Sequence, residues 1–144
     1  MSLYYSILSG VQNSVSTTGI STVLRDDLFL LEGDVLPLVI VAPGPEFETI
    51  RLQTFNKNIV YDYHVLIAYI IAGNRIVSSN LQTFLDNRET IRNKLYQIGV
   101  SGITAWDTKM QVGPVSKFQA LVGSNYKVTG WTMAYSGTEI RQGV

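Results

Sequence analysis

The chain has 144 residues, with eleven Lys and Arg against eleven Asp and Glu and no cysteine, which excludes disulfides, thiol catalysis and thiolate metal sites. This length suits one domain that buries about two thirds of the surface its unfolded form exposes. Only 15% of residues are charged and 46% are apolar, against about 25% charged in an ordinary soluble domain, so part of the surface is expected to be covered by partners.

The first ten residues, MSLYYSILSG, lack the basic start and unbroken apolar block of a signal peptide. Leu3 or Tyr4, Ile7, Leu8, Val11 and Val15 recur at helical spacing and predict a short amphipathic helix running into the Ser/Thr/Gly cluster of Ser14 to Thr22. A bridging segment with Leu28 to Leu31 leads to a short apolar strand, Leu36 to Val41, which Pro43-Gly44-Pro45 is expected to stop. Glu46 to Phe55 predicts a separate strand, with Ile50 and Leu52 on one face and Phe47, Thr49, Arg51, Gln53 and Phe55 on the other. The Asn56-Lys57 connection predicts an antiparallel hairpin, because Asn tolerates the left-handed backbone of tight turns.

Asn58 to Ala72, NIVYDYHVLIAYIIA, reads as one long strand. Ile59, Tyr61, Tyr63, Val65, Ile67, Tyr69 and Ile71 alternate onto one face. The other face changes from Asp62 and His64 to Leu66, Ala68 and Ile70, so the strand runs from a half-wet region into a two-sided core. Its 15 residues span about 50 Å at about 3.3 Å each, more than so small a domain is expected to cover alone, and the projecting half points to assembly. Neither apolar stretch suits a membrane span: one is broken by Glu32, Asp34 and Pro37, and the other carries Asp62 and His64.

Ser79 to Gln82 has the form of a capping box and Gly99 stands where a helix stops, which predicts a helix over about 80–98. Its expected core stripe is Leu81, Phe84, Leu85, Arg88, Ile91, Leu95 and Ile98. Arg88 breaks this stripe, either as a side chain snorkelling past the core edge or as an ion-pair partner of Asp62 or of a neighbouring subunit. Strand-like runs follow at Ile103 to Trp106 and Lys117 to Val122, and a last strand, Lys127 to Tyr135, places Trp131, Met133 and Tyr135 on one face. Ser136 to Val144 reads as a flexible tail or an arm onto a neighbour. The expected class is α+β: a single domain over 1–144, with a mainly antiparallel sheet built on a long central strand and packed by an N-terminal helix and one longer helix.

The residues offer little for catalysis. His64 is the single histidine, with Asp62 two residues away on the same strand face, and no Gly-x-Ser-x-Gly turn supplies a nucleophile. Asp26-Asp27 suits a solvated loop better than a metal, and no phosphate-binding loop, dinucleotide fingerprint or His-Glu-x-x-His is present. The expectation is a non-enzyme without metal or cofactor. Phe47, Phe55, Trp106 and Tyr126 border turns and are candidate subunit-interface anchors, with Arg51 and Arg88 as charged candidates. Residues 1–50 carry one cation, Arg25, against six carboxylates, a sum of −5, and the remainder sums to +5. Copies whose halves lie on opposite sides could dock head to tail and close into a ring, whereas charges that mix in space give no such polarity. No Lys/Arg run with interleaved aromatics points to sequence-reading of nucleic acid.

An N-terminal helix, a Leu-Pro-x-Val-Ile-Val strand, a hairpin, a long YDYHVLIAYIIAGN strand, one capped helix and a C-terminal strand together resemble the tail-terminator and tail-completion proteins of long-tailed bacteriophages, over roughly Met1 to Tyr135. The resemblance implies a non-enzymatic virion protein that assembles in the host cytoplasm. It implies a homo-oligomeric ring, commonly a hexamer, that caps the tail tube, ends its polymerisation and meets the head connector or neck, with DNA passing through its lumen. Other classes are set beside it: a head-to-tail joining, neck or minor tail protein, an enzyme, which would require a pocket around Asp62 and His64, and a small ligand-binding module that would be a stable monomer.

Overall fold

The structure, a computed structural model, describes residues 2–53, 58–72, 78–97, 109–112 and 126–140. Helix α1 (Leu3–Ser16) starts where the Ser2 hydroxyl accepts from the Tyr5 N–H at 3.1 Å, satisfying one of the free donors of the first turn. It stops where Thr17 and Thr18 hydroxyls take the carbonyls of Ser14 and Val15, and Gly19 leaves at φ +85°. The predicted stripe is its buried face, with Ile7, Leu8, Val11 and Val15 all enclosed.

The sheet contains β1 (Thr22–Leu24), β2 (Leu38–Gln53), β3 (Asn58–Ala72), β4 (Lys109–Val112) and β5 (Tyr126–Ile140), in the order β1-β2-β3-β5-β4. Only β1 runs parallel to its neighbour, so the α+β class with a mainly antiparallel sheet is what the chain adopts. Helix α2 (Ser78–Gln97) lies within two residues of its predicted bounds, and β3 occupies the predicted span.

Four expectations are corrected. The apolar strand and the Glu46–Phe55 strand are one 16-residue element, β2, because Pro43-Gly44-Pro45 bends the strand without breaking its pairing to β3. Pro43 pairs with Val65 and Glu48 with Tyr63, so Gly44 to Phe47 stand opposite His64 alone, an enlarged irregular bulge. β5 continues past Tyr135, pairing Ser136 to Ile140 with Asp62 to Asn58, so this part of the expected tail is sheet; 141–144 lie outside the described residues. β3 does not project unpaired, since β2 and β5 flank it along its length, which removes strand length alone as a pointer to assembly. Finally, Leu81 and Leu85 are each 44% exposed, because among its described side chains α2 turns only Phe84, Ile91 and Leu95 fully into the core; Ile98 lies outside the described residues. The strand-like runs at 103–106 and 117–122 lie outside the described residues.

Both helices cover one sheet face, where Val39, Val41, Val65, Ile67, Tyr69, Trp131, Met133 and Tyr135 meet α1 and α2. On the other face Leu38, Ile40, Ala42, Leu66, Ala68, Ile70 and Val128 are covered by Leu28, Leu30 and Leu36 of the 25–37 connection. That connection is clasped by Arg25 and Asp34, whose two nitrogen–oxygen contacts measure 2.8 and 2.7 Å. Beyond Leu66 the second face opens: His64, Asp62, Thr132 and Ala134 are only half-buried. The predicted passage from half-wet to two-sided core is therefore present in β3.

Candidate docking face

Large apolar side chains are left in water on the 25–37 connection (Phe29, Leu31 and Val35), on α2 (Leu81 and Leu85), and on α1 and β2. Tyr5 is 52% exposed on α1, Phe47 55% in the β2 bulge and Ile50 59% just beyond it. Residues 2–50 also contribute five exposed carboxylates, Asp26, Asp27, Glu32, Glu46 and Glu48. Their one cation, Arg25, is already engaged: it is paired with Asp34, bonds the Phe29 carbonyl at 2.8 Å and lies 5.5 Å from the Phe29 ring centre. Pairing with Arg25 holds the Asp34 carboxyl down at about 2, helped by the Leu31 N–H.

The bulge is fixed from below. A Cβ on Gly44 would stand 2.8 Å from the Cβ of His64, so only glycine lets the strand pass this close. Tyr4 donates its hydroxyl to the His64 carbonyl and packs edge-on to Phe47 at 6.4 Å between ring centres. Burial pushes the Tyr4 phenol up to about 12. Across the strands, His64 Nε2 lies 3.1 Å from Thr49 Oγ1, so the histidine is engaged with a threonine of the neighbouring strand. Phe47 itself sits at φ +61°, a left-handed backbone that is unusual for a bulky residue.

Beside the bulge, α1, β1 and Pro43 enclose a hollow of about 650 Å³ lined by Tyr5, Leu8, Gln12, Val23, Leu24, Arg25 and Asp26. β1 is the sheet edge here. The Ser21 carbonyl and the Arg25 N–H bond β2, so strand alternation turns the main-chain groups of Thr22 and Leu24 outward. Gln12 reaches the Thr22 carbonyl at 3.4 Å.

Among the described residues, the predicted interface candidates do not cluster. Phe47 is on this face. Arg51 falls at a second register shift of β2, between Ile50 opposite Tyr61 and Leu52 opposite Val60. Tyr126 is half-buried against the second-face cluster at the far end of β5. Arg88 leans over β5: its Nε donates to Thr129 at 3.2 Å and its guanidinium lies 5.8 Å from the Trp131 ring centre. Thr129 pairs with Tyr69, seven residues along β3 from Asp62, so the Arg88–Asp62 pairing does not form. Phe55 and Trp106 lie outside the described residues. Tyr5 and Gly44 went unselected in the sequence, although Tyr5 is an aromatic off the helical stripe and Gly44 is framed by two prolines.

Among the described residues no group of His, Cys, Asp and Glu could hold a metal ion, and no helix is long and apolar enough to cross a membrane. No protein-family model matches the sequence, and no characterised protein matches it.

Proposed function

We propose that the chain is a ring-forming, non-enzymatic component of a phage tail: a terminator that caps the tail tube, ends its polymerisation and presents a surface to the head connector. One observation carries this reading. Tyr5, Phe47 and Ile50 on α1 and β2, together with Leu31 and Val35 on the 25–37 connection, are more than half exposed in a domain that is poor in charge. A solitary domain leaves such side chains in water, whereas neighbouring copies around a ring bury them. The order of described elements, from N-terminal helix through the long β3 and one α2 to the C-terminal β5, also supports the tail-terminator resemblance. In this reading the ring, commonly of six copies, surrounds a lumen whose contacts with passing DNA are non-specific and salt-sensitive.

The test is to add purified protein to polymerising tail tubes and image the products by negative stain. A terminator gives rings at tube ends and tubes that stop growing. Unrestrained growth, with no density at the ends, would exclude it; rings that bind only the head side would identify a joining protein.

A further inference from the structure

We infer that the hollow between the N-terminal half of α2, the end of β3 and the lead-in to β2 binds a small neutral molecule with an amide-like edge, one that presents a hydrogen-bond acceptor beside a donor. The inference is independent of the ring-forming reading, which concerns other surfaces of the chain.

The hollow measures about 290 Å³, close to the lower end of the usual ligand-pocket range of about 300–1,000 Å³. Leu36, Pro37, Ile71 and Phe84 give it an apolar wall. Asn80, Thr83 and Asn87 line it from α2, at positions that share one face of a helix. Asn80 and Thr83 are exposed, Asn87 is half-buried and Tyr69 is buried, so the polar groups run from the rim inward. None of the lining residues is charged. An ion would be desolvated there without compensation, which favours a neutral ligand.

The inner polar groups set the chemistry of that ligand. Tyr69 is 1% exposed, stacks on Phe84 at 5.5 Å between ring centres, and accepts from Asn87 Nδ2 at 3.1 Å. This bond uses one end of the amide and one role of the hydroxyl. Among the described residues it leaves Asn87 Oδ1 as an acceptor and the Tyr69 O–H as a donor. Exchanging the two ends of the Asn87 amide swaps these roles and keeps one donor beside one acceptor. A carboxamide or lactam edge answers both at once, whereas a ligand lacking either role leaves a polar group of the site unpaired. The apolar wall then takes the hydrocarbon part of the molecule.

Benzamide is the probe, because it joins a carboxamide to an apolar ring, and benzoate, of the same shape but charged, is the control. Binding to the full chain is followed by NMR through the side-chain amide signals of Asn80 and Asn87 and the backbone signals of Thr83 and Phe84. Benzamide is expected to shift these signals saturably with a Kd of about 1–10 mM, the range for a ligand of so few atoms. Benzoate should bind at least about tenfold more weakly. Tyr69→Phe and Asn87→Leu, with folding verified by circular dichroism, should each weaken benzamide binding roughly three- to tenfold. Shifts that are absent up to the solubility of benzamide, or that fall elsewhere on the chain, overturn the site. Equal binding of benzoate overturns the neutral-ligand assignment, and unchanged binding by both variants overturns the role of the Tyr69–Asn87 pair. If the variants unfold, the comparison of benzamide with benzoate on the wild type decides.

Discussion

Gly44 and Phe47 carry opposite backbone demands within one bulge, and each makes a distinct prediction. At Gly44 a methyl group meets the His64 Cβ at 2.8 Å, with the His64 backbone at 3.5 Å behind it. Gly44→Ala is expected to cost about 1–3 kcal/mol, the usual range for forcing an atom into filled space, measured by urea unfolding; an unchanged midpoint would show that the bulge can open. At Phe47 the left-handed φ is the strain, so Phe47→Gly should leave stability unchanged or raise it by up to about 1 kcal/mol while weakening self-association. Loss of stability without loss of association would make Phe47 a packing residue of the Tyr4 corner. The Arg25–Asp34 clasp predicts acid behaviour. The Asp34 pKa falls from 3.8 to about 2 on folding, so its stabilisation is complete above the unfolded value and is lost as pH drops towards 2. Asp34→Asn should flatten the stability profile in that window; a profile that keeps its slope would place the acid sensitivity elsewhere.

At the scale of elements, the helices differ in how well their sequences announce their buried faces. In α1 the predicted Ile7, Leu8, Val11 and Val15 are enclosed and Leu3 and Tyr4 are half-buried, because Ile, Leu and Val at helical spacing have one face to offer. In α2 the same logic placed Leu81 and Leu85 inward, whereas they are 44% exposed and, among the described side chains, only Phe84, Ile91 and Leu95 enter the core. Arg88 explains part of this: its guanidinium needs room over Trp131 and a bond to Thr129, which sets how the helix sits on β5. Replacing Leu81 and Leu85 with Ser should therefore change stability by less than about 0.5 kcal/mol each beyond helix propensity. Trp131→Ala, at a fully buried position, should cost about 3–5 kcal/mol. Equal costs at the two sites, measured by denaturant unfolding, would contradict this packing. Strand length was legible where apolar alternation was continuous, as in β3. It was misread in β2, where two prolines imitate a stop, and in β5, where Ser136 to Glu139 hide a ladder behind polar side chains.

For the whole molecule, β3, from the middle of the chain, occupies the middle of the sheet, with β2 and β1 on one side and β5 and β4 on the other. Composition shows a charge imbalance between the two halves of the chain, −5 against +5, but not where it lies, since strand order depends on pairings between distant segments. The docking face was likewise only partly legible: Phe47 could be chosen as a turn-bordering aromatic, whereas Tyr5 and the groove beside β1 exist only once α1 lies across the sheet. The central claim is that this face is covered by another copy, and the most direct measurement is the solution mass across a concentration series at low salt, alone and with tail tubes present. The account predicts a discrete species of about six copies, in solution or on tube ends. A monomer at every concentration that also leaves the tubes bare would contradict it.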